Sequence, residues 1–472
     1  MRRSVAIAAS VAVLGVALVG AGPGTGSGSG TGTGKPASAL RIPHTRFRLP
    51  NGLEVIVHAD RRVPRVVVDV LYRVGARFER AKRSGMAHLF EHLMFMGTKR
   101  IPEKQIDLLM ERNGGWNNAY TSEDVTNYYD VGPSRLLELL LWIEADRMAT
   151  LAHALTPKKL GLQRKVVLNE RRQSYENRPY GKARLAMPSL LFAPSHPYGH
   201  TVIGDVADLE AVTAGDCKAF FGRYYAPSNA VLVIAGDVDV AKARALATRY
   251  FGWIPSKVPA SRWGRAKPQP AKLAKEVRRE MRDRVALPRL YMAWHSPPHQ
   301  TPGDAELDLT AAMLTTGKLS RLYRELVYTR RVAASVSARQ DSRALGSVFT
   351  VTVTLRRGAD IKQVEKLVRR EIARFIQKPP SADELARAKA QYQTAFVRSL
   401  QSLRSRAETL ALYMAAVGRA DYVAKDLRRY TSATTASVHK HARAVLGSLG
   451  RVVIHVLPES PAAKKAQQKG KK

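Results

Sequence analysis

The sequence predicts an α+β fold of two homologous domains, each a mainly antiparallel sheet with helices packed against it. Three observations lead to this prediction. The chain has 472 residues and 45% of them are apolar, so it is too long for one compact core and can bury more than one. Segments typical of strands and of helices alternate along it. The pattern of the first half also recurs in the second half at a nearly constant distance.

The N-terminal segment has the pattern of an export signal. Arg2 and Arg3 precede an apolar run from Val5 to Val19, and small residues follow at a plausible cleavage site. The run is somewhat short for a stable transmembrane helix. We therefore predict that residues 1–21 are the signal peptide of a periplasmic or secreted protein, with an uncleaved membrane anchor as the alternative. Residues 22–40 are rich in Gly, Ser and Thr and are predicted to be a flexible linker.

Residues 41–254 are predicted to form the first domain. Pro50-Asn51-Gly52 separates two apolar segments, which is typical of a β-hairpin. The valine-rich segment from Arg65 to Val74 and the segment from Ala230 to Gly236 are predicted strands. Helices are predicted over residues 83–96, 134–148 and 157–170, the last with Thr156 as its N-cap and Pro157 as its first residue.

The rest of the chain is predicted to repeat the first domain. Val63-Pro64-Arg65 corresponds to Leu287-Pro288-Arg289, and Thr156-Pro157 corresponds to Ser381-Ala382. Both offsets are about 224 residues, which favours a repeat over two unrelated α+β domains. The predicted segments are an interdomain linker rich in Pro, Lys and Arg, a second domain and a basic disordered tail, at residues 255–275, 276–458 and 459–472.

The chain is strongly basic, with 77 Lys and Arg against 39 Asp and Glu and a formal net charge of +38. Such a charge occurs in proteins that bind nucleic acid or an anionic surface, and also in ordinary folds with a solvated basic surface. The basic residues are dispersed and no nucleic-acid motif accompanies them, so we favour the second interpretation and predict no nucleic-acid partner. Cys217 is the only cysteine, which excludes a disulfide within the chain.

The spacing of His88, Glu91 and His92 is the clearest indication of a catalytic metal site in the sequence. Residues four apart on a helix lie on one face, so the two imidazoles could bind one zinc ion. Glu91 borders this face and could take a proton from a water whose pKa zinc lowers to about 7. A catalytic zinc site commonly has a third protein ligand, often a carboxylate. The apolar neighbours predict a buried helix rather than one with two surface histidines.

Three segments resemble the signatures of the pitrilysin/insulinase family of zinc metallopeptidases. The first is Gly85 to Thr98, around the inverted motif His-x-x-Glu-His. The second is Gly114 to Ser122, followed by Thr126 to Tyr129, and the third is Val166 to Arg172. The resemblance covers roughly residues 41–458 and is to the short, two-domain type, similar to the subunits of mitochondrial processing peptidase.

The resemblance implies a role for each matching residue. It implies that three side chains bind zinc, namely His88, His92 and Glu170. It implies that Glu91 is the general base and then the proton donor to the leaving amine. Asn118 and Ala119 lie in a segment that forms an edge strand in the family and pairs with extended substrate, which implies that they bind substrate here.

The sequence departs from the family pattern at two places. Members often carry a second glutamate about two helical turns before the zinc-binding one; that position is Gln163 here, which removes no ligand. Long members have an arginine and a tyrosine, seven apart, that face the zinc from their second half, and the matching residues here are Val327 and Ala334. The second repeat also lacks the ligands, so we predict one zinc site per chain; the corresponding residues are Ala312, Thr316 and Ala395.

We therefore predict a zinc endopeptidase, with Zn²⁺ as its cofactor, that hydrolyses short or unfolded polypeptides. The resemblance implies an enclosed chamber of which two repeats form half, so we expect a homologous partner chain, with a homodimer as the alternative. Two other hypotheses are a catalytically silent structural or partner subunit of such a peptidase, and a binder of nucleic acid or an anionic envelope. The intact motif disfavours the first, and the lack of a nucleic-acid motif disfavours the second.

Overall fold

Two β-sheets, one in each half of the chain, organise the fold. The structure is a computed structural model that describes residues 40–256, 269 and 271–459. The predicted signal peptide lies outside the described residues, as do nearly all of the predicted N-terminal linker, most of the predicted interdomain linker and the tail beyond residue 459. Within the described ranges, no helix has both the length and the apolar character needed to cross a membrane.

The first sheet has the strand order β1-β2-β6-β3-β5-β4, and all neighbours are antiparallel except β2 and β6. Its strands are β1 (Thr45–Arg48), β2 (Glu54–Ala59), β3 (Arg65–Tyr72), β4 (Trp116–Thr121), β5 (Thr126–Pro133) and β6 (Ala230–Gly236). The predicted hairpin is confirmed, because β1 pairs with β2 around Gly52, whose φ of 87° favours glycine. The predicted strand at Arg65 is confirmed and ends two residues earlier than expected, at Tyr72.

The helices described in the first half are α1 (Met86–Leu93), α2 (Gln105–Arg112), α3 (Leu137–Ala154), α4 (Pro157–Arg171), α5 (Gly181–Leu191), α6 (Val206–Ala211), α7 (Ala214–Tyr224) and α8 (Val240–Phe251). Helix α1 is shorter than the predicted 83–96, whereas α3 starts later and ends later than the predicted 134–148. Helix α4 begins as predicted, since the Thr156 hydroxyl accepts a hydrogen bond from the Lys159 N–H.

The second sheet repeats the topology of the first. Its strands are β7 (Val277–Asp283), β8 (Arg289–Ser296), β9 (Ala333–Asp341), β10 (Ser347–Leu355) and β11 (Val452–Pro458). Their order, β7-β11-β8-β10-β9, matches β2-β6-β3-β5-β4, and β7 with β11 is again the parallel pair. This confirms the predicted fold class of two homologous, mainly antiparallel domains. The residue limits predicted for the domains stay predictions.

Each sheet packs one face on helices of its own half and the other face on a helix of the other half. The helices of the second half are α9 (Asp304–Thr315), α10 (Ile361–Gln377), α11 (Ala382–Ser399), α12 (Leu403–Val417), α13 (Val423–Thr431) and α14 (Thr435–Leu446). Helix α12 covers the first sheet, and α5 covers the second sheet. Strand β3 therefore buries Val66, Val68 and Val70 on one face and Val67 and Leu71 on the other, which explains its continuous apolar sequence.

Candidate active site

Helix α1 carries three of the predicted site residues and begins where only glycine fits. Gly85, its N-cap, has a φ of 83°, and a Cβ there would lie 2.7 Å from the carbonyl oxygen of Ile203. The Glu79 carboxylate accepts hydrogen bonds from the backbone N–H groups of Gly85 (2.9 Å) and Ala87 (2.7 Å). Such N–H groups have no partner within the helix, so Glu79 fixes the start and the orientation of α1.

All eight residues of α1 are buried, as predicted. The ring of Phe90 packs against the rings of Phe221 and Tyr225, with centroid distances of 5.8 and 4.5 Å. Apolar side chains thus hold the helix against the core of the first half. His88, His92 and Glu91 lie on the remaining face of α1, toward Glu170 of α4 and Thr121 of β4. Packing of the apolar face therefore also fixes the position of this polar face.

The side chains of His88, His92 and Glu170 converge between α1 and α4. The Oε2 atom of Glu170 lies 3.3 Å from Nε2 of His92 and 3.8 Å from Nε2 of His88. Ligand atoms of a tetrahedral zinc ion, bound at about 2.0–2.1 Å, lie about 3.4 Å apart. The two distances from Glu170 are close to this value, and all three ligand atoms lie within 4.8 Å of one another. The two imidazoles and the carboxylate are also ligand types that zinc prefers. Among the described residues, this is the one group of three or more His, Cys, Asp or Glu positioned to hold a metal ion.

Two of these side chains have protonation states suited to metal binding. Burial, and then the neighbouring His92, lower the pKa of His88 to about 4, so its imidazole is neutral at pH 7. Burial acts to raise the pKa of Glu170, but the hydrogen bond with His92 and the influence of His88 hold that pKa below its usual value. A neutral imidazole and an ionised carboxylate are the forms that bind zinc.

Glu91 is held by a hydroxyl group from the neighbouring strand. Its Oε2 atom accepts a hydrogen bond of 2.5 Å from Oγ1 of Thr121, at the end of β4. Only 8% of Glu91 is exposed, and burial raises the pKa of its carboxyl group to about 7. A carboxylate with such a pKa can both accept and return a proton at neutral pH.

Strand β4, which contains Asn118 and Ala119, is an edge strand of the first sheet. Among the strands that the structure describes, β5 is its one neighbour. Ala119 is buried and Asn118 is half-buried, with the Asn118 side chain accepting a hydrogen bond from the Ala119 N–H. The free edge could pair with an extended chain. Binding of substrate by these two residues stays a prediction.

Gln163 and the second-half positions that correspond to the zinc ligands have other surroundings in the structure. The side-chain nitrogen of Gln163 donates a hydrogen bond of 2.6 Å to the sulfur of Met96. In the second half, Ala312 and Thr316 line a cavity of about 140 Å³ between α9 and α11. Neither alanine nor threonine is among the side chains that commonly bind zinc. One site per chain stays a prediction.

Two residues that position the site were not predicted from the sequence: Glu79, which binds the start of α1, and Thr121, which binds Glu91. Glu79 lies six residues before the glycine that starts α1, and Thr121 lies 30 residues from its partner in the chain. The only local signal for Glu79 is an acidic residue shortly before a helix start. Thr121 lies in the segment Gly114 to Ser122 that resembles the family, but its contact with Glu91 could not be predicted because it depends on which strand lies beside α1.

Two family models match the chain. The model described as insulinase (peptidase family M16) matches residues 54–190, which include the whole candidate site. The model described as the peptidase M16 inactive domain matches residues 211–392. That second region includes much of the second half, where the ligand positions hold alanine and threonine.

Several known proteins are similar over most of the chain. The zinc protease PqqE of Helicobacter pylori is 29% identical over 79% of this chain and 83% of its own length. The beta subunit of the mitochondrial-processing peptidase of Blastocladiella emersonii is 26% identical over 81% of this chain and 82% of its own length. The crystal structure of a protease from Helicobacter pylori superimposes with a TM-score of 0.82 at 25% identity, covering 89% of this chain and all of that one.

Proposed function

The chain belongs to the insulinase (M16) family of peptidases, and from this premise we propose that it is a zinc endopeptidase that cleaves short or unfolded polypeptides. The convergence of two imidazoles and a carboxylate around one point carries this proposal. His88, His92 and Glu170 would hold the zinc ion. Bound zinc supplies a Lewis acid that polarises the substrate carbonyl and lowers the pKa of water to about 7.

Glu91 would transfer a proton from the attacking water to the leaving amine. Its carboxylate is directed by Thr121 and buried beside the histidines, so it can take a proton from the attacking water and return it to the leaving amine. The free edge of β4 would bind the substrate backbone as an added antiparallel strand, with Asn118 and Ala119 along it. Such pairing needs an extended segment whose backbone N–H and C=O groups are free, which supports short or unfolded substrates.

We also propose that a homologous partner chain completes the enzyme. Negative charge develops on the substrate carbonyl oxygen in the transition state, and hydrogen-bond donors that stabilise this charge greatly increase the rate. The second half offers Val327 and Ala334 at the positions where long family members carry a donor pair, and neither side chain can donate. A relative is named as a subunit of a processing peptidase, which supports a paired assembly.

Activity should depend on this partner. The isolated chain should be slower by about 10²–10³, the cost of losing one such donor, and addition of a homologous chain that carries Arg and Tyr at the two positions should restore it. Peptidase assays of the isolated and the mixed chains, with the size of each sample measured, test this. Full activity of the isolated chain, unchanged by the partner, would contradict it; a homodimer with full activity would favour the alternative assembly.

A catalytically silent subunit is the alternative function. The family model described as inactive matches residues 211–392 and not the region that contains His88 to Glu170. The four residues that the chemistry needs are all present in the first half and lie together. These observations favour the active enzyme, and a zinc-loaded protein that cleaves nothing with its partner present would favour the silent subunit.

We further propose export to the periplasm or the medium. The proposal depends on the pattern of Arg2, Arg3 and the apolar run up to Val19. The mature protein from its native host should begin near Gly22, which N-terminal sequencing measures. A membrane-bound protein that still begins at Met1 would favour the anchor.

A further inference from the structure

The two halves meet at the tips of two equivalent hairpins, close to the candidate site. In the first half the tip is residues 122–125, between β4 and β5, and in the second half it is residues 342–346, between β9 and β10. The two hairpins have the same place in the strand order of their sheets. The contact therefore joins corresponding parts of the two repeats, one with metal ligands and one without.

Asp124 is at the centre of this contact. One carboxylate oxygen accepts a hydrogen bond of 2.7 Å from the hydroxyl of Tyr198 and lies 3.0 Å from Nε of Arg77, with which it forms an ion pair. The other accepts a hydrogen bond of 2.9 Å from the backbone N–H of Ala344 in the second half. The hydroxyl of Tyr198 in turn accepts a hydrogen bond of 3.0 Å from the N–H of Leu345.

An arginine from the second half adds an ion pair. Arg343 lies 3.0 Å from Glu123 and 2.6 Å from Asp341, which holds the guanidinium in its own hairpin. We name this set of contacts the hairpin clasp: Arg77, Glu123, Asp124 and Tyr198 of the first half with Asp341, Arg343, Ala344 and Leu345 of the second.

The backbone of the first half also holds this tip. The N–H groups of Ala76 and Arg77 each donate a hydrogen bond of 3.0 Å, to the carbonyl oxygens of Ser122 and Glu123. A Cβ at Gly75 would lie 2.3 Å from the Ser122 oxygen, so the backbone approaches the tip as closely as glycine allows. The tip is thus fixed by hydrogen bonds from the backbone at 76–77 and by the clasp.

The position of the tip matters for the site because Thr121 directly precedes it. Thr121 donates the hydrogen bond to Glu91, and β4 ends at this residue. Strand β4 has β5 as its one neighbour among the described strands. Contacts at the tip therefore add to the few that fix the end of β4 at Thr121. A displacement of about 1 Å near reacting groups can cost about 10² in rate.

We infer that the metal-free half positions the catalytic edge of the first half through the hairpin clasp. Asp124, Tyr198 and Arg343 are then positioning residues for β4 and for the contact between Thr121 and Glu91. The inference rests on the proposed function for its catalytic consequence, whereas the restraint of β4 is a property of the protein without metal.

Replacing Tyr198 by phenylalanine tests this, because it removes one hydroxyl and keeps the buried ring. Tyr180→Phe is the matched control: the Tyr180 hydroxyl donates a hydrogen bond of 3.0 Å to the carbonyl oxygen of Leu287, which also joins the halves but lies outside the clasp. In metal-free protein, hydrogen exchange of the amides of residues 116–121 should be about tenfold faster in Tyr198→Phe and unchanged in Tyr180→Phe. Equal exchange in both variants would overturn the inference.

A second measurement connects the clasp to catalysis. In the zinc-loaded enzyme with its partner, Tyr198→Phe should reduce kcat/KM by about tenfold and Tyr180→Phe should not. In a Thr121→Val background the added effect of Tyr198→Phe should be much smaller, since the contact through which it acts is already lost. Fully additive effects would overturn the inference. Wild-type protein without activity would contradict the proposed function instead, and the exchange experiment would still decide whether the clasp restrains β4.

Discussion

Replacing Glu91 by glutamine should leave zinc bound and reduce hydrolysis by about 10²–10⁴, the usual contribution of a positioned acid–base group. The amide keeps the shape of the carboxylate and can still accept a hydrogen bond from Thr121, but it cannot take a proton from water. The three proposed zinc ligands remain, so the metal should stay. The change therefore separates proton transfer from metal binding.

Zinc content and turnover of an unstructured peptide, measured on the same sample, test this prediction. Glu111→Gln is a matched control, because Glu111 is an exposed carboxylate on α2 outside the site. The control should keep both zinc and activity. Near-normal turnover in zinc-loaded Glu91→Gln protein would mean that the base lies elsewhere.

Removing an imidazole should abolish both metal and activity. His88→Ala or His92→Ala leaves two of three ligands, and the zinc content should fall from about one per chain toward zero. The fold should survive, since α1 is held by the core contacts of Phe90 and by Glu79. His153→Ala, a change at an exposed histidine of α3, should alter neither quantity. Stoichiometric zinc in the double variant of His88 and His92 would rule out the proposed ligands.

The sequence predicted the parts of the site that depend on local pattern. The spacing of His88 and His92 on an apolar helix indicated both the shared face and the burial, because side-chain direction on a helix follows from spacing alone. Thr156 and Pro157 likewise predicted the start of α4, since capping is local chemistry. The turn at Gly52 likewise indicated the pairing of β1 with β2.

Features of the site and of the fold that depend on contacts between distant segments could not be predicted from local sequence pattern. Glu170 is an ordinary residue of a half-exposed helix, and only the resemblance to a family connected it with His88. The exchange of α5 and α12 between the two sheets has no local signal, since an apolar helix face does not specify which sheet it covers. The contact of Asp124 with Ala344 likewise joins residues that are far apart in the chain.

Dependence of cleavage on zinc is the property that decides whether this chain is an active zinc peptidase. Purified protein, with its homologous partner, is assayed on an unstructured peptide before and after zinc is removed by a chelator, and again after one equivalent of zinc per chain is restored. We expect cleavage by the purified protein, loss of cleavage after zinc removal and recovery after zinc is restored, and no cleavage at any stage by Glu91→Gln protein. Zinc-loaded protein that cleaves nothing in the presence of its partner, or cleavage that survives complete removal of zinc, would contradict it.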